Sequence, residues 1–393
     1  MVVTLTTNLH SQEKITDSLL VTRQNLDEVI LTSVRVKYSS PVSHSNLTKE
    51  ELSIKNLGQD LPILLNNLPS VVTTSDAGAG IGYTGIRIRG VSAQSTNITI
   101  NGIPFNDPES HGTFWVNLPD FTSSIESLQV QRGVGTSTNG SGAFGASINI
   151  LTDAVSENAN AEISNSLGSY NTRKHTVKFS TGKINQFFEL SGRLSKIDSD
   201  GYVDRAYSDL KSYFLQASFQ KGNTFLKALS FGGHEKTYQS WYGLTMDQVL
   251  ENRRQNPYTY ENEIDNYKQD HYQLHWKQKL NPNWSANFGL NYTYGRGYFE
   301  QFREDDSVDT YSGIVVSDID KNGNNTGTVD LIRRRWLDNN FYVFNASFIY
   351  NKNRFNISLN SSFSKYSGDH FGEVIWARQL NENSSIGDKY YQG

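Results

Sequence analysis

The sequence predicts a small mixed α/β domain followed by antiparallel transmembrane β-barrel strands. Three observations lead there. The first 150 residues combine a capped helical stretch with glycine-rich strand segments. Beyond about residue 158, strand after strand alternates one apolar and one polar face. Short turns and long loops then take turns along the chain, as the two rims of a membrane barrel require.

Composition fits this reading. The chain has 393 residues, enough for two structural units. Charged residues make up 19%, below the roughly 25% of soluble domains. Tyr 21 and Phe 20 suit a surface that is oily on one side and wet on the other. The net charge of −4 gives no reason to expect nucleic acid as a partner. With no cysteine, disulfides, thiolate metal sites and cysteine nucleophiles are excluded. No run approaches 18 apolar residues, so no helix is expected to span a membrane.

Residues 1–24 are polar and aperiodic. Two readings stand for them: a flexible leader, or the clipped tail of a signal peptide cleaved near Ser11 or Gln12. Residues 25–36 form a short β-rich run. Residues 37–155 are the small domain and 156–393 the barrel strands. Within the small domain, Thr48 and Glu51 have capping-box spacing ahead of Leu52, and Gly58 closes that turn. A second short helix is expected over Leu61 to Leu68, with Pro62 in its first turn. Ile86-Arg87-Ile88-Arg89, Ile98-Thr99-Ile100, Ile125 to Val130 and Ala146 to Ile150 read as strands.

In the second unit, Trp284, Ala286, Phe288, Leu290, Tyr292 and Tyr294 alternate with small or polar residues. Phe355, Ile357 and Leu359 do the same, as do Tyr213, Leu215, Ala217 and Phe219 with Phe188, Leu190 and Leu194. Tyr272, Leu274 and Trp276 point away from His271, Gln273, His275 and Lys277, because successive strand side chains face opposite ways. Tyr294, Trp276, Phe363 and Tyr350 are read as strand-end aromatics of the interfacial girdles. Short turns are expected at Ser169-Tyr170-Asn171, Lys221-Gly222-Asn223, Asn281-Pro282-Asn283 and Asn351-Lys352-Asn353. Long loops are expected near 197–209, 233–265 and 300–338, the last containing Arg333-Arg334-Arg335 beside Trp336. A soluble sandwich shows similar alternation, but its polar face would carry more Lys and Glu.

Several segments resemble the plug of TonB-dependent receptors. They are Ile86-Arg87-Ile88-Arg89-Gly90, Ile98-Thr99-Ile100-Asn101-Gly102-Ile103-Pro104, Ile125 to Gly133, and Gly140-Ser141-Gly142-Ala143-Phe144-Gly145 running into Ala146 to Ile150. Val134 and Asn139 depart from the family pattern, in a surface-type turn. Asp198 to Leu210 and His234 to Gly243 look like iron-complex receptors of the Bacteroidetes type. The resemblance implies a 22-stranded barrel closed around the plug in the outer membrane. About nine strands are legible here, so the barrel is expected to be truncated at the C-terminus.

The resemblance also implies roles. Asp27-Glu28-Val29-Ile30-Leu31-Thr32 is similar to the TonB box, a segment that adds a strand to the energy-coupling protein's sheet. Its alternative is an ordinary first plug strand. The apex segment contains Phe105, Asn106, Asp107, Glu109, His111, Phe114 and Trp115, polar groups beside aromatics suited to a small metal chelate. The bland alternative packs Phe114 and Trp115 inside the plug, and leaves His111 solvated. Arg87, Arg89, Glu126 and Arg132 are expected to tie plug to barrel by ion pairs. The arginine triple is expected either to attract anionic chelates or to bind the anionic outer leaflet.

Two motifs are set aside. Asp318-Ile319-Asp320-Lys321-Asn322-Gly323 begins like a Ca²⁺ loop, but Val329 stands where the bidentate Glu belongs. Gly135 to Gly140 has P-loop spacing, with Ser141 in place of the lysine. No enzyme activity, cofactor or resident metal is expected. The function implied is active import of a siderophore-type ferric chelate, the partners being a TonB-type coupling protein and outer-membrane lipid. The alternatives are cobalamin or glycan import by the same mechanism, a glycan cargo needing a lid lipoprotein, or a non-transporting β-sheet adhesin.

Overall fold

The computed structural model describes residues 5–6, 35–36, 41–134, 144–314, 327–378, 380 and 384–393. The segment Asp27–Thr32, the Gly135–Ala143 run and the Asp318–Gly323 turn lie outside the described residues.

The first unit is a plug. Its strands are β2 (His44–Thr48), β3 (Val71–Ser75), β4 (Thr84–Ile88), β5 (Thr96–Ile100), β6 (Ile103–Pro104), β7 (Ile125–Arg132) and β8 (Ala146–Thr152), while β1 (Leu5–Thr6) runs beside the second unit. One sheet has the order β2-β7-β8-β5-β6, with β5 and β8 parallel; β3 and β4 form a separate hairpin. The helix Lys49–Lys55 begins at the anticipated capping box, Glu51 N–H donating to Thr48 Oγ1 and Thr48 N–H to Glu51 Oε2. The second helix is shorter than expected, Leu61–Leu64, because the chain breaks into turns at Leu65 and Leu68. Asn66 and Asn67 follow it, residues that favour turns over helix interiors.

The second unit is an antiparallel wall in which each strand pairs with its sequence neighbours. It comprises β9 (Asn160–Leu167), β10 (Arg173–Ser180), β11 (Phe188–Ser199), β12 (Ser208–Lys221), β13 (Thr224–Tyr238), β14 (Ile264–Lys279), β15 (Trp284–Ser307), β16 (Thr328–Lys352), β17 (Phe355–Ala377) and β18 (Lys389–Gln392). These are ten strands where the sequence suggested about nine; the extra one is the four-residue edge β18.

The alternation is realised as a membrane barrel would use it. Leu190, Leu194, Leu215, Leu274 and Trp276 face outward, Leu194 at 65% exposure and Trp276 at 43%. Thr176, Ser191, Ser212, Gln216, Gln273 and His275 face inward and are buried. Outward aromatics ladder across strands, as in Tyr272–Tyr292–Tyr342 and Trp276–Phe288. The plug core of Leu52, Ile88, Ile98, Leu128, Val130, Ile148 and Ile150 is continuous with three wall residues, Phe214, Leu229 and Phe231. Phe121 stands between them, 5.2 Å from Phe231. A second, smaller cluster joins Ile81 and Val116 of the plug to Ile197 and Leu210 of the wall, so the plug docks by two apolar contact sets on a largely polar inner face.

Three expectations are corrected. The Ser169–Asn171 turn lies at the long-loop rim, since Asp200 N–H bonds Tyr170 O and Tyr170 packs on Tyr202. Strands β15 and β16 pair as far as Ser307 and Thr328, so Tyr294 is mid-strand and Arg333–Trp336 are strand residues rather than loop. Cross-strand partners hold them there: Arg334 pairs Glu300 at 2.8 Å, and Trp336 stacks near Tyr298.

Candidate functional site

The apex of the plug is the loop from Pro104 to Phe114. Asn106 shapes it from within. Its Oδ1 accepts from Ile98 N–H at 2.7 Å, and its Nδ2 donates to the carbonyls of Thr96 and His111. Asp107 Oδ1 caps the next turn by accepting from the N–H groups of Glu109 and Ser110, a local bond that Asp and Asn make readily. Asp107 N–H donates to Gly112 O and closes the loop.

Between this apex and strands β13 to β17 lies a cleft of ≈ 880 Å³, counting space open to solvent. It sits toward the rim that carries the long connections 239–263 and 308–327. Of the seven expected apex residues, Phe105, Asn106, Asp107 and Phe114 line it. Phe105 packs 5.4 Å from the His271 ring of the wall. Glu109, His111 and Trp115 do not line it. Glu109 turns to the wall, accepting from Tyr366 Oη at 3.0 Å and lying 3.3 Å from His370 Nε2. His111 is exposed, at φ 59. Trp115 is buried in the plug core, as the bland alternative had it.

Sequence reasoning missed the wall side of the cleft. Glu235, Asp265, Tyr267, His271 and Tyr366 border it, from β13, β14 and β17. The signal was present on the first two strands: these residues sit in the inward phase of the same period-two pattern that marked the outward apolar face.

The expected plug–wall ion pairs are also corrected. Glu126 pairs with Lys49, within the plug, at 3.3 Å. Arg132 donates to Pro69 O and Ser45 Oγ, again within the plug. Arg87 and Arg89 make no ion pair among the described residues. Both sit at the β4 hairpin, where Arg87 is exposed and Arg89 has φ 56.

Two plug aspartates carry the attachment instead. Asp120 lies 2.7 Å from Lys174 and 3.4 Å from Arg193, all three side chains fully buried. Asp153 lies 2.6 Å from Lys178 of the wall and 2.7 Å from Lys49. Burial alone would push the Asp153 carboxyl up; the Lys178 and Lys49 ammonium groups outweigh it and hold it below its ordinary range. Neither aspartate stands in a motif that marks it from sequence.

An antiparallel wall with an apolar outer face, wrapped on a plug held by buried ion pairs, defines the class of plugged outer-membrane-type barrels. Residues 36–147 match the TonB-dependent Receptor Plug Domain family. That match and the likenesses that follow support a TonB-dependent receptor. It is 27% identical over 205 residues to the probable TonB-dependent siderophore receptor PirA of Acinetobacter baumannii, covering 49% of this chain and 25% of that receptor. It is 26% identical over 156 residues to the vitamin B12 transporter BtuB of Vibrio cholerae, covering 39% and 25%. The ferric-catecholate import receptor Fiu of E. coli superposes with a TM-score of 0.63 at 14% identity, over 89% of this chain and 54% of that one. The chain therefore spans about a quarter of the curated relatives it matches and about half of that solved structure.

Proposed function

We propose that this chain serves TonB-dependent import of a ferric chelate across the outer membrane. The observation that carries the reading is the cleft at the long-loop rim, bordered on one side by the plug apex and on the other by the wall. Cargo seated there touches both parts at once, so its binding can bias how the plug sits. Asp27–Thr32 is the segment the coupling protein would grip, by strand addition along its backbone. Proton-motive force transmitted along that line then displaces the plug, and the Asp120 and Asp153 attachments resist until it does.

The choice of a ferric chelate draws on the likeness to PirA, named as a siderophore receptor, and competes with cobalamin because of the likeness to BtuB, named as a vitamin B12 transporter. Deleting the full-length gene and growing the strain on individual iron sources decides between them. Loss of growth on one ferric chelate supports the reading. Unchanged growth on every ferric chelate, with loss of cobalamin-dependent growth, overturns it.

A further inference from the structure

Near the rim ends of β13 and β14 the cleft is bordered by two carboxyl groups, an amide and a phenol. Tyr83 and Asn117 come from the plug, and Glu235 and Asp265 from the paired strands β13 and β14. The Tyr83 hydroxyl donates to an Asp265 carboxylate oxygen. Burial, and then the charges of Asp265 and Glu235, push the Tyr83 phenol well above its ordinary value, so it remains a donor with a single proton to give. Glu235 accepts from the Thr237 hydroxyl at 3.1 Å and also lies within hydrogen-bond reach of the Tyr83 hydroxyl.

The Asn117 side chain is the telling one. The residue is 7% exposed, lines the same space, and its Oδ1 has no hydrogen-bond partner among the described residues. A buried acceptor left without a donor carries the full desolvation penalty of that group. Glu235 and Asp265 border the same cleft, and a positive charge seated there would favour their ionised forms. Among the described residues no Lys or Arg lines the cleft. The arginines nearer the rim are engaged elsewhere: Arg334 with Glu300, Arg296 with Asp338, Arg303 with Asp306. No cluster of three or more His, Asp or Glu among the described residues is arranged to hold a metal ion, which points away from a bare cation.

We propose that this end of the cleft is a subsite for a protonated amine of the cargo, seated between Asn117 Oδ1 and the Glu235 and Asp265 carboxylates. The inference rests on the import reading above and sharpens it. The cargo it selects is a chelate with a free primary ammonium group, and polyanionic chelates are disfavoured by the same carboxylates. An ammonium supplies three donors, which matches one amide oxygen and two carboxylates.

The test uses the full-length receptor in detergent and two probes, a ferric trihydroxamate with a pendant primary amine and the same chelate N-acetylated. Calorimetric titration should show the amine form binding about tenfold more tightly, the scale of one charge-assisted hydrogen bond. Glu235→Gln and Asp265→Asn, each checked for folded barrel by circular dichroism, should both shrink that ratio. Equal affinity for the two probes, or tighter binding of the acetylated one, overturns the amine subsite and leaves ferric-chelate import standing. Failure of the folded receptor to bind either probe, with growth on every ferric chelate also unaffected by gene deletion, overturns both.

Discussion

Lys174 Nζ lies 2.7 Å from the Asp120 carboxylate, across the boundary between wall and plug. Six side chains converge on that one carboxylate. Asn56 and Ser123 reach it from the plug; Lys174, Thr176, Arg193 and Ser195 reach it from the wall. Asp120 itself is at φ 51, a left-handed conformation that Asp tolerates better than most residues. Asp120→Ala would strand two buried cations, and breaking a buried pair from one side costs about 3–5 kcal/mol. Amide hydrogen exchange in residues 118–124 should therefore accelerate strongly in the full-length receptor. Unchanged protection there would mean the plug is held by other contacts.

The pH dependence of that attachment has a definite sign. Burial pushes the Asp120 carboxyl up, but Lys174 and Arg193 more than reverse it and hold it well below the usual carboxylate range. A depressed native value means the contribution is fully present above the unfolded value of about 4 and is lost as pH falls through the native one. Denaturant midpoints for the plug should be flat, as far as Asp120 is concerned, between pH 5 and pH 8 and drop only in stronger acid. Asp120→Asn should remove that acid-limb drop.

Asp60 behaves in the opposite sense. It is buried in the plug, and burial raises its carboxyl to about 8 despite hydrogen bonds from Thr84 Oγ1 and the Gly82 backbone. A raised native value means stability is intact below the unfolded value and erodes as pH climbs through about 8. Asp60→Asn keeps an acceptor for Thr84 and removes the charge. The variant should raise the plug's denaturant midpoint at pH 9, with the gain fading as pH falls toward 4. A gain that is equal at both ends of that range would assign the effect to packing instead of protonation.

How much of this was legible beforehand follows from the range of the forces involved. The capping box at Thr48 and Glu51 is a contact three residues long, and it stands where the sequence put it. The outward phase of Leu274 and Trp276 is a period-two pattern, equally local. Arg333–Arg335 were misread as loop because charge density resembles solvent exposure in a sequence. Only the register of β15 on β16 shows that Glu300 stands opposite Arg334 and that Phe299 stacks beneath Arg335. Asp120 and Asp153 were invisible for the same reason, since their cationic partners Lys174, Arg193, Lys178 and Lys49 stand far off in the sequence and only folding brings them together. In the cleft, the apex residues were found by motif and the wall residues were not, because nothing local distinguishes the inward Glu235 from the inward Thr237.

The outward face of the wall gives a depth-dependent prediction. Leu274 is exposed on β14 between Tyr272 and Trp276, in the apolar band. Arg at the bilayer midplane of a barrel costs roughly 2–4 kcal/mol. Leu274→Arg in the full-length receptor should lower folding stability in lipid vesicles by that order. Leu250→Arg, on the exposed loop helix Met246–Glu251, is the matched control and should change it by less than about 0.5 kcal/mol. Equal effects would mean that β14 does not face lipid.

The proposed coupling role of Asp27–Thr32 gives the sharpest separation of binding from transport. Strand addition depends on backbone N–H and C=O groups more than on side chains, so most substitutions in Asp27–Thr32 should be tolerated. Proline is the exception, because it removes a ladder donor and fixes φ. Val29→Pro or Ile30→Pro in the full-length receptor should abolish cargo uptake by cells while leaving cargo affinity of the purified receptor within about twofold, since strand addition to a coupling protein is not itself a contact with cargo. Val29→Thr, which keeps the N–H and the β-branched shape, should transport nearly as well as the parent. If the proline variants import normally, Asp27–Thr32 is only the first strand of the plug. If they lose affinity as well as uptake, the segment acts through plug stability, and the coupling site must be sought elsewhere.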